Sequence, residues 1–118
     1  MSTDAERHPL DCLCKADIVE LKSLHSPPRG VKDTLVALMA ILGRRVSGAN
    51  EWKNCRKNLG DPTFLGTLLN FDPKSVTSED ARYAKSLIAD ISPEVMMKQS
   101  KAASAVFTWV KAVLDMTS

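Results

Sequence analysis

The side chains with most chemical potential in this 118-residue sequence are three cysteines, two histidines and fourteen acids, and their spacing builds no reactive centre. Cys12 and Cys14 stand two apart on an expected helix, where side chains do not face each other. Cys55, His8 and His25 fall at no recognised ligand spacing, so no metal and no cofactor is expected. An odd cysteine count argues against a disulfide framework, and reduced thiols imply a reducing compartment such as the cytoplasm. Neither histidine neighbours a nucleophile. No Gly-x-Ser-x-Gly, phosphate-cradling glycine loop or His-Glu-x-x-His occurs. The paired acids Glu79 and Asp80 belong to a helix's first turn, where the helix dipole accounts for them. The expectation is a binding domain and not an enzyme.

Cations carry the more informative pattern. The net charge, +2, is too small to name a partner, but the first sixty residues hold ten Lys/Arg against seven acids. Lys15 and Lys22 share the polar side of a first helix. Lys53, Arg56 and Lys57 lie outside on a third, and Glu94, Lys98 and Lys101 step i, i+4, i+7 along the last. Two readings stay open. Each is a solvated face, the Glu94–Lys98 pair stabilising its helix by roughly 0.2–0.5 kcal/mol, or each is a contact surface for an acidic partner.

Those residues must be positioned by helices, since no stretch alternates with period two for long. A first helix is expected over about 11–25, with Leu10, Leu13, Ile18, Leu21 and Leu24 apolar and Asp17 intruding on that side. Pro27 and Pro28 end it, because proline removes a backbone donor and restricts φ. A second helix follows from about Pro28 to Leu42, stopped by Gly43, and Asn50 is a candidate N-cap for a third over Glu51–Leu59. Asp61-Pro62 reads as N-cap and first residue of a fourth. Thr77 with Asp80 is a near capping box for a fifth over about 78–89. Ser92-Pro93-Glu94 opens one long helix to about Met116, with Val95, Met96, Ala103, Val106, Phe107, Val110, Val113 and Leu114 on its apolar side. One all-α domain of about six helices is expected. No apolar run approaches the ~20 residues of a membrane span, and the start of the chain lacks the layout of a secretory signal.

Three blocks in fixed order, "CLCKADIVELKSLHSPPRGVKDTLVALMAILG", "EWKNCRKNLGDPTFLGTLLNFDP" and "SKAASAVFTWVKAVLDM", resemble the microtubule-binding domain at the stalk tip of dynein heavy chains. Lys-x-Asp-Ile-x-Glu-hydrophobic-Lys-Ser followed by Pro-Pro, and the Trp-bearing third helix before a Phe-Leu-rich fourth, are its specific marks. "LGDPTFLGTLLNFDP" is more similar to axonemal than to cytoplasmic members. The resemblance implies a compact six-helix bundle whose first and last helices lead into an antiparallel coiled-coil stalk, in the cytoskeleton of the cytoplasm or of a cilium or flagellum. It implies binding of α/β-tubulin through the first, third and last helices, with affinity coupled through the stalk to a distant ATPase ring. Its basic first-helix position falls on Lys15, its third-helix arginine on Arg56, and its last-helix acid and base on Glu94 and Lys98. Lys101 is a weaker counterpart. Lys22, Lys53 and Lys57 are added from helix geometry.

The resemblance assigns residues 10–118 to that domain and leaves residues 1–9 as a trimmed stalk end or a non-native leader, since Pro9 falls where the stalk should be helical. Pro27 and Pro28 become the corner through which stalk motion enters the bundle. An isolated domain of this kind is expected to be monomeric, and some outer-arm members carry a leucine-rich-repeat light chain on it. Alternatives from other classes are an all-helical nucleic-acid-binding module using the same bases, although the last helix offers little to read bases, and a protein-adaptor module. Neither membrane nor nucleic acid is the expected partner.

Overall fold

The computed structural model describes residues 15–44 and 51–117, and the described residues form seven α-helices without a strand. They are α1 (Lys15–Lys22), α2 (Arg29–Ile41), α3 (Glu51–Leu59), α4 (Phe64–Leu69), α5 (Ser78–Ile88), α6 (Pro93–Gln99) and α7 (Lys101–Thr117), with a 3-10 turn over Pro73–Ser75. The all-α expectation holds. Residues 1–9, the start of the first helix, Leu10, Leu13 and the Asn50 cap lie outside the described residues.

Helix α2 is the axis of the bundle. Val31 and every residue from Thr34 to Ile41 are buried, because α3, α5, α6 and α7 all pack around it. Thr34 tolerates this by donating its hydroxyl to the Gly30 carbonyl at 2.8 Å. Helix α7 supplies the facing wall through Ala103, Val106, Phe107, Trp109, Val110, Val113 and Leu114. The Trp109 ring is wholly buried and tilts against Phe71 at 5.5 Å between centroids. A core so poor in aromatics takes its largest single payload from that indole.

Chain punctuation explains the ends. Gly43 has φ +76°, and the Arg44 and Gly43 amides donate to the Met39 and Ala40 carbonyls at 2.8 and 3.0 Å, closing α2 in a Schellman turn. Arg44 then reaches Asn58 Oδ1 at 3.2 Å and lies 6.0 Å from the Phe64 ring centre, tying α2 to α3 and α4. Thr77 caps α5 by accepting from the Asp80 amide at 3.1 Å.

Three expectations need correction. The first helix stops at Lys22, five residues before Pro27, and only Ser23 and Leu24 continue it, through 3-10 bonds to Glu20 and Leu21. The fourth begins at Phe64, not Pro62: Asp61 turns its carboxylate back to accept from the Thr63 amide and hydroxyl at 2.9 and 2.8 Å, making a turn before the helix. Those two hydrogen bonds, aided by the nearby Arg44 charge, hold the Asp61 carboxyl below its ordinary pKa.

The third correction matters most. The last helix is two helices, broken at Ser100, whose backbone is extended (φ −164°, ψ 120°). Ser100 Oγ accepts from the Ala103 amide at 3.1 Å and so N-caps α7. Val95, expected on the apolar side, is about half exposed at 49%, since the break rotates α6 out of the α7 phase.

Two outcomes test this. Nothing lies within 4 Å of a Cβ built on Gly43, so Gly43→Ala should cost about 1–2 kcal/mol in urea unfolding from backbone conformation alone. Gly43→Asn should cost less. Burial, with Glu51 adding to it, pushes the Cys55 thiol up to about 12. Cys55 should therefore resist alkylation in the native state. Because the folded state keeps a proton that the unfolded chain loses above its ordinary value near 9.0, stability should fall as pH rises beyond that value.

Candidate functional site

The corner predicted at Pro27-Pro28 is where the site is assembled. Pro28 stands just before α2 with φ −56° and ψ 154°, an extended backbone that no helix continues. Helix α1 therefore ends with carbonyls that lack intrahelical partners. Helix α3 provides them. Arg56 donates Nε–H to the Lys22 carbonyl at 3.0 Å, and Trp52 donates its indole N–H to the Leu24 carbonyl at 3.0 Å. A guanidinium at a helix C-terminus is also favoured by the helix dipole. Lys32 of α2 adds an ion pair to Glu51 at 3.1 Å.

This clasp draws four of the expected residues together. Lys22, Lys53, Arg56 and Lys57, with Asn54, line one open depression of about 500 Å³. Lys53 and Lys57 are exposed, whereas Arg56 is half-buried, so the arginine is partly structural and the lysines are not. Lys15 lies further along α1 and shares a second groove with Lys22, together with Ile18, Val19, Gly60, Asp61 and Pro62. The Val19 side chain there is 52% exposed. The two grooves meet at Lys22, making one surface along α1 and α3.

Glu94, Lys98 and Lys101 are all exposed but do not form the single i, i+4, i+7 strip expected of them. Glu94 and Lys98 ride on α6, and Lys101 starts α7 beyond the break at Ser100. What links their junction to α1 is a tertiary bond that no local pattern signals. Ser100 Oγ also lies 3.1 Å from Glu20 Oε2 and donates to it, joining the α6–α7 junction to the exposed side of α1. Helix α1 packs on both α3 and α7, and α6 packs on α7, so α1 borders both the α3 cations and the helix that Lys101 opens. Asp17 sits half-buried at the edge of α1.

The depression between α1 and α3 is thus lined by four cationic side chains and one amide. The family whose model matches residues 2–117 is described as the microtubule-binding stalk of the dynein motor. The chain belongs to that family. It is 29% identical over 88% of its length to human dynein axonemal heavy chain 2, and 31% identical over 95% to cytoplasmic dynein 2 heavy chain 1 of Chlamydomonas reinhardtii. The dynein-1-beta heavy chain of the flagellar inner arm I1 complex of that alga is 32% identical over 88%. The chain spans only 2–3% of the length of these relatives.

In a dynein stalk domain the Trp52 and Arg56 bonds divide the α3 residues by role, and stability separates them. Trp52→Phe keeps the ring but leaves the half-buried Leu24 carbonyl unpaired, at a cost of about 1 kcal/mol in chemical unfolding. Lys53→Ala and Lys57→Ala, being exposed, should each change stability by no more than about 0.5 kcal/mol. Equal costs for all three would mean that the clasp does not hold α1.

Proposed function

We propose that this domain binds the acidic α/β-tubulin dimer of a microtubule through Lys15 and Lys22 of α1, Lys53, Arg56 and Lys57 of α3, and Glu94, Lys98 and Lys101 around the α6–α7 junction. The observation that carries the reading is the convergence of Lys22, Lys53, Arg56 and Lys57 on one open depression within a chain of the microtubule-binding stalk family. Exposed charges of this kind contribute little one by one, but as a group they steer association and make it sensitive to salt.

Residues 10–118 form the binding unit at the stalk tip in this reading, and ATP is hydrolysed elsewhere in the heavy chain. Binding affinity follows the position of α1, which the stalk shifts as the ATPase ring changes state, and the Pro27-Pro28 corner passes that shift into the bundle. The axonemal, flagellar and cytoplasmic names of the relatives support a cytoskeletal location, in the axoneme of a cilium or flagellum. A leucine-rich-repeat light chain on the same otherwise monomeric domain is compatible with tubulin binding.

Co-sedimentation with stabilised microtubules across a salt series tests the reading. Lys15→Ala/Lys57→Ala/Lys98→Ala removes one exposed charge from each helix while leaving the Arg56 clasp intact. The wild type should pellet at low salt and lose affinity steeply as salt rises, and the triple variant should bind at least tenfold more weakly at low salt. Excess duplex DNA should not compete. Salt-insensitive pelleting, equal for both proteins, sinks the electrostatic reading.

A second arm addresses the corner. Pro27→Ala/Pro28→Ala should preserve binding of the isolated domain at one stalk register but blunt the difference in affinity between registers. Unchanged affinity at every register would remove the corner from the mechanism.

A further inference from the structure

Ser26-Pro27-Pro28-Arg29 combines a hydroxyl, a proline directly after it and an arginine three residues on, the pattern read by proline-directed kinases of the cyclin-dependent class. We infer that Ser26 is a phosphorylation site that switches off the cationic surface, an inference resting on the microtubule-binding reading above.

The surroundings suit a kinase substrate. Ser26 is exposed in the non-helical link between α1 and α2. The chain leaves Ser26 through half-exposed Pro27 and an extended Pro28 (φ −56°, ψ 154°), close to the stretched form in which kinases hold peptides. The Arg29 side chain is 92% exposed, and its contact with Asp33, 3.6 Å long, is a loose surface pair. Ser92-Pro93 provides the contrast within the same molecule. Ser92 is half-buried at the start of α6, its carbonyl is engaged by the Met96 amide at 3.0 Å, and Val95 replaces a base three residues on.

In the transfer, Ser26 Oγ attacks the γ-phosphorus of ATP held by the kinase. The new O–P bond replaces the bond to the β-phosphate oxygen, ADP leaves, and the hydroxyl proton passes to the kinase's catalytic carboxylate. The product carries about −1.5 to −2 charges at neutral pH. Ser26 is two residues from Leu24, whose carbonyl is held by Trp52, and four from Lys22, whose carbonyl is held by Arg56. Four extended residues span at most about 14 Å, so the phosphate stays within about two Debye lengths, 8 Å each at physiological salt, of the Lys22 carbonyl to which the Arg56 guanidinium is bound. Its charge offsets part of what Lys22, Arg56 and Lys57 present to an acidic lattice.

The experiment treats the whole chain with a cyclin-dependent kinase and ATP, maps the product by mass spectrometry, and compares phosphorylated and untreated protein in microtubule co-sedimentation. One phosphate should appear on Ser26 and none on Ser92, and Ser26→Ala should take up none while binding microtubules as the untreated protein does. Phosphorylation should weaken binding by roughly three- to tenfold at low salt, with a smaller ratio at high salt. If the folded chain is not modified at Ser26, or if the modified chain binds as before while the untreated chain binds well, the switch is overturned and the microtubule reading stands. Untreated protein that fails to bind microtubules overturns both.

Discussion

Everything at the candidate surface depends on the way α1 is made to stop. Helix α1 stops at Lys22, ahead of two prolines that bar helix through the corner, and a helix that stops leaves carbonyls to be satisfied. In this bundle the donors that reach the Lys22 and Leu24 carbonyls come from α3. Satisfying backbone groups thus dictates that α3 lies across the end of α1, and α3 brings Lys53 and Lys57 with it. The cationic depression is a by-product of a hydrogen-bonding requirement. Charges of one sign do not gather by themselves, and here the backbone supplies the attraction that holds them together.

The same constraint bears on how α1 is held. Leu21 is its only fully enclosed side chain among the described residues and Ile18 is nearly so, while Lys15, Val19, Glu20 and Lys22 face outward. A helix of eight residues with so little buried surface is held mainly by its neighbours. Its partners are the clasp at one end and the Glu20–Ser100 bond on its flank. Polar contacts have short reach and specific geometry, so they fix the position of α1 along its axis, while Ile18 and Leu21 seat it in the core beside α7.

Sequence reasoning reached most of this fold because the signals were local. Gly43 after a periodic apolar run, Thr77 three residues before Asp80, and Ser92-Pro93-Glu94 each mark a helix end through chemistry contained in a few residues, and each was correctly read. The basic positions of α1 and α3 were legible for the same reason, as outward faces of helices whose inward faces were plain. What escaped was the non-local part. Trp52 carries a polar tip that needs an acceptor when half-buried, but nothing in the letters says that the acceptor is the Leu24 carbonyl. Trp109 is wholly buried, a place that the aliphatic periodicity of α7 does not mark.

The break at Ser100 shows why local reading fails there and what the failure conceals. Ser100 is followed by Lys101, Ala102 and Ala103, a helix-favouring run with neither glycine nor proline, and no Glu or Gln stands at the position that completes a capping box. By propensity the helix should continue. Two bonds to the Ser100 hydroxyl oppose that preference, one from the Ala103 amide within its own chain segment and one to Glu20 on α1. The second is a tertiary contact eighty residues away in sequence, so it is invisible until α1 and α7 are packed. A single serine hydroxyl thereby serves as the cap of α7 and the anchor of α1. The split frees α6 to turn Glu94, Val95 and Lys98 outward at an angle that an unbroken helix would not allow. A continuous last helix would follow the register of α7 and direct Val95 inward. The serine that caps α7 therefore also bonds to α1 and sets the direction in which α6 leaves the junction.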